Sequence, residues 1–282
     1  MMAAQTWKYY LVSTPAPYVA HVQINRPDKL NAFFEPMWLE LKTLFDTLSL
    51  SPDIRAIVLS GAGDRAFTAG LDVQAASQDG VLQQAEGKTA DVARKAVAIK
   101  RHVEEFQNCI SSIEKCEKPV VCVMHGFSFG LALDISTCAD VRMCSKDVKL
   151  AVKEVDIGLA ADIGTLTRLP KIVGSFSWVK DVALSARVFG ADEALRVGLV
   201  SQVLETKEKA VEAALAYAGL LATKSPIAVQ GTKELLNHAR DHNVADSLRY
   251  TGVWNSAGIQ TEDVTRAMLS GLKKTRPTFE KL

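Results

Sequence analysis

Short apolar segments and helical spacings alternate along this chain. Residues 18–25 alternate between apolar and polar types, which predicts a strand with one buried face. Apolar residues recur at helical spacing from 37 to 48, and apolar runs at 54–59 and 120–124 predict buried strands. Residues 73–90 are polar and rich in Gln, Ala and Gly, which predicts a mobile loop. The repeated strand–strand–helix order of the first 200 residues favours an α/β fold.

The second half of the chain changes from mixed elements to helices alone. A helix is predicted at 129–139, and another begins at Pro226, where proline suits a first helical turn. Because the spacing becomes purely helical near residue 205, we predict a core over residues 1–204 and a helical C-terminal region over 205–282. Further predicted elements are helices at 91–116, 177–186 and 191–197 and a strand at 199–203.

Composition excludes several classes of protein. The 282 residues are 48% hydrophobic, which is enough for one large domain or a domain with a helical extension. The net charge of +1 favours neither nucleic acid nor an anionic membrane as partner. The five cysteines form no C-x-x-C pair, which indicates reduced, buried thiols in an intracellular compartment. No apolar run approaches the roughly 18–20 residues of a membrane span.

The two ends of the chain bear on its compartment. The N-terminal residues show neither a secretory signal pattern nor an Arg-rich mitochondrial presequence. The chain ends Glu280-Lys281-Leu282, which keeps the last two residues of the S-K-L peroxisomal address. A peroxisomal location is therefore predicted, with mitochondrion and cytoplasm as alternatives.

Three acids in apolar surroundings are the first candidates for chemistry: Asp134, Glu154 and Asp162. A carboxylate among apolar side chains is costly unless it is paired, protonated or used. Each also has a structural interpretation. Asp134 suits a solvated helix face, Glu154 an ion pair with Lys153, and Asp162 a helix N-cap.

The segment from Gly126 to Gly130 matches G-x-S-x-G between a strand and a helix, which makes Ser128 a candidate hydrolase nucleophile. Only His238 and His242 follow it, both in charged helical sequence, and no glycine-rich oxyanion loop precedes it. A tight turn with Ser128 as a small filler is the favoured interpretation. H-E-x-x-H motifs, Cys/His clusters and Walker loops are absent from the sequence, so we expect no metal.

Several further motifs occur in a fixed order over almost the whole chain. They are Asn25-Arg26-Pro27, Lys29, Asn31-Ala32, Ala66-Phe67-Thr68-Ala69-Gly70-Leu71-Asp72, His125-Gly126 to Asp134, Gly164-Thr165, Arg168-Leu169-Pro170, Gly174, and Ala191-Asp192-Glu193-Ala194 through Gly198-Leu199-Val200. Together they resemble the crotonase (enoyl-CoA hydratase/isomerase) superfamily. The resemblance implies a crotonase-like α/β spiral of β-β-α units. It also implies a helical C-terminal region that mediates homotrimers, often paired into hexamers.

The acids distinguish branches of that superfamily. Its hydratases carry Glu at the positions that match Asp134 and Glu154, whereas the set Asp134, Glu154 and Asp162 resembles the dienoyl-CoA isomerases. The resemblance implies that a 3,5-dienoyl-CoA becomes 2,4-dienoyl-CoA in unsaturated fatty acid β-oxidation. By the same resemblance, Glu154 removes the C2 proton, Asp162 protonates C6 and Asp134 positions them. Two acids suit this chemistry because the two carbons lie several ångströms apart.

The resemblance also assigns the oxyanion hole and the substrate contacts. The backbone N–H groups of Leu71 and Leu131 would stabilise the enolate oxygen. Gly130-Leu131-Ala132 replaces the usual Gly-Gly-Gly, so we expect the Leu131 side chain where the family leaves space. The remaining predicted substrate-binding residues are Lys29, which would meet the CoA phosphates, and Ala69, Gly70, Asp72 and Gly130.

No metal or redox cofactor is predicted, because CoA is part of the acyl-CoA thioester substrate. Two other functions of the same fold stay open. One is an enoyl-CoA hydratase, in which Asp134 and Glu154 activate water. The other is a binding protein that holds acyl-CoA without turnover.

Overall fold

A computed structural model describes residues 6–75 and 91–282 of the chain. Its strands form two sheets, of six and four strands. The first sheet has the order β1-β2-β3-β5-β7-β10, and the second has the order β4-β6-β8-β9. The strands are β1 (Tyr10–Ala16), β2 (Val19–Ile24), β3 (Ala56–Gly61), β4 (Ala66–Thr68), β5 (Val120–Met124), β6 (Phe127–Phe129), β7 (Val141–Ser145), β8 (Lys149–Ala151), β9 (Phe189–Gly190) and β10 (Gln202–Leu204).

The helices begin with good capping residues at several places. Side chains of Asp91, Ser175, Thr206, Ser225, Asn243 and Thr261 each accept a hydrogen bond from an amide in the first turn that follows. The helices are α1 (Glu35–Leu50), α2 (Val92–Lys115), α3 (Leu131–Cys138), α4 (Thr165–Ile172), α5 (Phe176–Ser185), α6 (Ala191–Arg196), α7 (Lys207–Ala222), α8 (Pro226–Asp241), α9 (Val244–Gly258) and α10 (Glu262–Leu272).

One structural step repeats through the first two thirds of the chain. A strand of the first sheet is followed by a short strand of the second sheet and then by a helix, as in β5–β6–α3 and β7–β8–α4. Most pairings in both sheets are parallel, and β1–β2 and β8–β9 are the antiparallel ones among the described strands. This repetition confirms the predicted spiral of β-β-α units.

The first sheet is buried on both faces. One face packs on the main core, which includes side chains of α1, α2 and α3. On the other face, α7 presents Ala210, Ala214, Ala218 and Ala222 to Val and Met side chains of the strands. Alanine at every fourth position lets this helix lie close to the sheet. The boundary at residue 205 stays a prediction, and α7 beyond it packs directly on the core.

Element ends differ from the sequence patterns in a few places. Phe129 belongs to β6 and not to the helix predicted from that residue, because Phe127–Phe129 pairs with β8. Of the predicted loop 73–90, residues 76–90 lie outside the described part of the chain. None of the helices in the described ranges is long and apolar enough to cross a membrane.

Candidate active site

Asp134 lies at the centre of the site, on a helix with every residue buried. Its side chain is only 2% exposed. The amide of Thr165 donates to Asp134 Oδ1 at 2.6 Å, and the Thr165 hydroxyl donates to the same oxygen at 2.8 Å. The N-cap of α4 is Gly164, which has no side chain, so Asp134 supplies the acceptor from another helix. The interpretation of Asp134 as a solvated surface acid is therefore wrong.

Glu154 begins a 3-10 turn over Glu154–Ile157, directly after β8. It does not pair with Lys153, which instead binds Asp156 at 2.8 Å. Among the residues that the structure describes, Glu154 Oε2 is buried without a hydrogen-bond partner. Gly130 leaves room for this carboxyl group: a Cβ there would stand 3.1 Å from Glu154 Oε1, and its φ of 53° also favours glycine.

The two buried acids titrate near neutrality. Burial raises the pKa of Asp134 to about 6, against the opposing hydrogen bonds from Thr165. Burial also raises the pKa of Glu154 to about 7, and the nearby charge of Asp134 adds to the increase. Because the charge of one group changes the pKa of the other, the two carboxyl groups titrate as a coupled pair. A carboxyl group with a pKa near 7 is suited to accept and return a proton at neutral pH.

Asp162 lies differently from the other two acids. It is exposed, and its carboxylate has no hydrogen-bond partner within the two described ranges. It lines a polar cleft of about 210 Å³ together with Gln107 and Arg168, and Glu154 does not line that cleft. The negative charge of Asp162 nevertheless raises the pKa of both Asp134 and Glu154. Asp162 is thus near the buried pair but open to solvent, and it does not cap α4.

The two predicted oxyanion amides lie on neighbouring segments. Phe33 forms hydrogen bonds with the residues on either side of Leu71. The Phe33 amide donates to Gly70 O, and the Asp72 amide donates to Phe33 O, each at 2.8 Å. This leaves the Leu71 N–H without an acceptor in the described chain. The Leu131 N–H is the first of α3 and likewise has none there. A Cβ built on Gly70 would stand 3.7 Å from Leu131 N, so the two segments are in close contact.

The Leu131 side chain is 4% exposed and belongs to the main core cluster. Its effect on the space for the acyl chain stays a prediction. The Leu131 backbone amide is still free to donate, because the side chain leaves the helix on the core side.

Asn31 joins the turn after β2 to the end of β3 and the start of β4, the strand that leads to Leu71. It is fully buried at a φ of 56°, and its Nδ2 donates to the carbonyl oxygens of Ala62 and Ala66, each at 2.9 Å. Its Oδ1 accepts from the Arg26 amide at 2.8 Å. Asn31 and Thr165 were missed as parts of the site, although both stand within the family motifs of the sequence.

The other predicted binding residues surround this loop. The Ala69 amide donates to Leu30 O at 2.9 Å, which leaves no donor of Ala69 for a ligand. Asp72 forms an ion pair with Arg26 at 2.7 Å and accepts from the Ala75 amide. Burial would raise the pKa of Asp72, but these two hydrogen bonds outweigh it and lower the pKa. Lys29 is exposed nearby.

The hydrolase alternative finds no support in the geometry. Ser128 is buried, and its hydroxyl donates to His125 O at 3.3 Å. His238 and His242 stack on each other at 3.7 Å, in α8 and just after it. In the described part of the chain, no group of three or more His, Cys, Asp or Glu side chains could hold a metal ion.

Comparisons with known proteins agree with this geometry. The family model described as enoyl-CoA hydratase/isomerase matches residues 16–281. The chain is 44% identical to the human mitochondrial Delta(3,5)-Delta(2,4)-dienoyl-CoA isomerase, over 91% of this chain and 77% of that protein. It is 38% identical to the peroxisomal Delta(3,5)-Delta(2,4)-dienoyl-CoA isomerase of Arabidopsis thaliana, over 94% and 93%.

A solved structure gives the same fold. The enoyl-CoA hydratase from Bacillus anthracis superposes with a TM-score of 0.85 at 22% identity, over 97% of this chain and 99% of that chain. At that identity the likeness concerns the fold alone. The match to the family model and the two relatives go further, because they cover nearly the whole chain. This chain therefore belongs to the enoyl-CoA hydratase/isomerase family, as its motifs predicted.

Proposed function

We propose that this protein isomerises 3,5-dienoyl-CoA to 2,4-dienoyl-CoA in the β-oxidation of unsaturated fatty acids. The observation that carries the proposal is the buried carboxyl group of Glu154: its Oε1 lies beside Gly130, and its Oε2 has no hydrogen-bond partner among the described residues. Gly130 directly precedes Leu131, whose amide is free in the same part of the chain, so a base and an oxyanion donor face the same small region. The isomerase names of the relatives support the same reaction.

The first step removes a proton from C2 of the substrate. Glu154 takes this proton, and the electron pair of the C–H bond moves into the thioester and the diene. The charge on the thioester oxygen is stabilised by the N–H groups of Leu71 and Leu131, each typically worth a few kcal/mol in the transition state. The N-terminus of α3 adds its partial positive charge at the same point.

The second step returns a proton at the far end of the dienolate. For this step Asp162 carries a proton: its protonated carboxyl group donates that proton to C6 and becomes a carboxylate, the double bonds settle at C2 and C4, and the thioester oxygen loses its negative charge. Asp162 then regains a proton from water, to which it is exposed, and Glu154 releases the proton that it took. Asp134 positions Glu154 and Asp162, and its negative charge raises the proton affinity of Glu154.

Further proposals concern partners and location. Lys29 would contact the phosphates of CoA, and no cofactor beyond the substrate is needed. The protein would assemble as a homotrimer or a hexamer of paired trimers. Relatives are named mitochondrial in humans and peroxisomal in Arabidopsis. We propose the peroxisome, as named for the Arabidopsis relative, with the mitochondrion as alternative.

The test follows the extended conjugation of the product by ultraviolet absorbance. Wild-type protein should convert 3,5-dienoyl-CoA, and Glu154→Gln should lose about 10²–10⁴-fold in kcat, as expected for loss of a general base. Asp162→Asn should lose the diene shift while it remains folded. Hydration of crotonyl-CoA without any diene shift would favour the hydratase alternative. Binding of the dienoyl-CoA with no product at any pH would favour the binding protein.

A further inference from the structure

The Arg168-Leu169-Pro170 motif has no role in the mechanism above, yet the guanidinium of Arg168 and the carboxylate of Asp134 both lie near Gly164. Arg168 stands one turn after Gly164 in α4, and a Cβ built on Gly164 would collide with Arg168 Nη1. The same Cβ would stand 3.9 Å from Asp134 Oδ1. The bare α-carbon of Gly164 therefore makes room for a cation next to the buried carboxylate.

The guanidinium of Arg168 is fixed from the other side by α2. Its Nη2 donates to Glu114 Oε2 and to Ser111 Oγ, each at 2.9 Å, and its Nε faces both Glu114 oxygens at 3.2 and 3.3 Å. Arg240 from α8 binds the same Glu114. Among the described residues, Nη1 has no acceptor. Two nitrogens of the guanidinium, Nε and Nη2, therefore anchor it, and the third, Nη1, lies beside Gly164.

The buried surroundings of Arg168 strengthen the effect of its positive charge on Asp134. The side chains of Arg168 and Glu114 are only 12% and 16% exposed, so water screens their charges weakly. The acids near Asp134 would otherwise favour its protonated form, because like charges repel. The charged groups around Asp134 are Glu154 and Asp162 from the segment after β8, Arg168 from α4, Glu114 from α2 and, behind Glu114, Arg240 from α8.

We propose that Arg168 is a positioning residue for the isomerase reaction: anchored by Glu114 and Ser111, its guanidinium acts across the space at Gly164 and favours the ionised form of Asp134. This inference rests on the proposed function. The charge of Arg168 lowers the pKa of Asp134 against the effect of burial, and the charge of Asp134 in turn raises the pKa of Glu154. Together with the two hydrogen bonds from Thr165, the charge of Arg168 thus favours Glu154 as the acid that takes the first proton.

Loss of the Arg168 charge should weaken this preference. In Arg168→Met, Asp134 should take up a proton at higher pH and therefore repel the charge of Glu154 less. Glu154 then stays ionised to lower pH and becomes a weaker base. The acid limb of kcat/KM should move below about pH 7, and its plateau should fall about tenfold, since a weaker base transfers protons more slowly.

Infrared spectroscopy gives a readout that does not depend on activity. The carbonyl band of protonated Asp134, identified by its absence in Asp134→Asn, should titrate near pH 6 in the wild type. In Arg168→Met it should appear at a pH higher by about one or more. Arg187→Met is the matched control, because Arg187 also binds two acids, Asp181 and Glu193, in another part of the structure. It should move neither the band nor the pH limb.

Gly164→Ala provides a second variant in case Arg168→Met does not fold. The added methyl group displaces Nη1 without removing the charge, so both readouts should shift in the same direction by a smaller amount. A structural role alone would lower the fraction of active enzyme and leave both titrations in place. An unmoved Asp134 band in folded Arg168→Met or Gly164→Ala overturns the role of Arg168. A wild-type protein without a diene shift contradicts the proposed function instead.

Discussion

At the residue scale, the site consists of ordinary side chains with unusual surroundings. Asp134 and Glu154 are buried acids whose pKa values lie near 6 and 7, because burial penalises the charged form. A burial of this kind costs folding free energy at neutral pH. It is retained where a carboxyl group must exchange protons, as a general base does.

The free-energy cost of burying an ionised Glu154 predicts how the stability of the protein depends on pH. Because the folded protein holds a proton on Glu154 up to about pH 7 and the unfolded chain loses it near 4.5, the free energy of unfolding should fall as pH rises between these values. Glu154→Gln should remove most of this fall, which corresponds to roughly 3 kcal/mol at most. Urea denaturation at pH 5 and pH 8 measures it. Exposed Glu212→Gln is the control and should keep the wild-type slope, whereas an equal slope in both variants would contradict the assignment to Glu154.

Leu131 gives a second prediction at this scale. Replacement by glycine, the usual family residue, removes a buried core side chain and should cost about 3–5 kcal/mol of stability. The amide remains, so kcat measured well below the melting temperature should change less than about tenfold. Leu184→Gly, at an exposed position near the end of α5, should cost about 1 kcal/mol or less. A tolerated Leu131→Gly would mean that the side chain is not part of the core.

At the element scale, each oxyanion amide follows a strand of the second sheet: Leu71 comes after β4, and Leu131 comes after β6. The β4–β6 and β6–β8 pairings place the end of β4 beside the start of α3. The segment that leads to Leu71 then depends on Asn31, which ties Ala62 and Ala66 to the turn after β2 through two buried hydrogen bonds and accepts a third from Arg26 within that turn. Parallel pairing in the second sheet thus fixes one amide, and a buried side chain fixes the other.

Asn31→Ala should therefore affect both stability and catalysis. It leaves buried backbone groups unsatisfied and places alanine at positive φ, for a loss of about 3 kcal/mol. Displacement of Leu71 N should also lower kcat by tenfold or more. Asn31→Gly keeps the backbone conformation but not the hydrogen bonds, so it separates the two causes. Thermal melting and the diene assay check both, and an unchanged kcat in folded Asn31→Gly would contradict this role.

At the scale of the whole molecule, the C-terminal helices leave an apolar surface. None of the residues of α9 is buried in the described chain. Two of its apolar side chains, Leu248 and Val253, are 68% and 66% exposed. Surfaces of this kind mark contacts with other chains. They agree with the proposed assembly of three or six copies.

Sedimentation of the wild-type protein should give the mass of three or six chains. Leu248→Glu should weaken the assembly, because a charge in an apolar interface is costly to bury. Leu50→Glu, a matched change at the exposed end of α1, should leave the mass unchanged. A monomeric wild type at micromolar concentration would contradict the proposed oligomer.

The sequence alone determined the fold class, many of the elements and the identity of the candidate residues. Alternating and helical spacings depend on local geometry, so the buried strands near 54–59 and 120–124 and the helical C-terminus could be predicted. The acids Asp134, Glu154 and Asp162 were visible because charged residues are rare among apolar neighbours. Short strands such as β6 and β8 were not visible, because three residues carry too little periodicity to identify a strand.

Only the tertiary structure decided what each residue does in the site. That Asp134 caps a helix 31 positions away, that Leu131 faces the core, and that Asp162 is exposed all depend on which segments pack together. The same holds for Arg168, whose guanidinium lies near Gly164 and Asp134 because a carboxylate of α2 anchors it there. Burial and long-range contacts set these charges and pKa values, and neither is a property of a residue and its sequence neighbours.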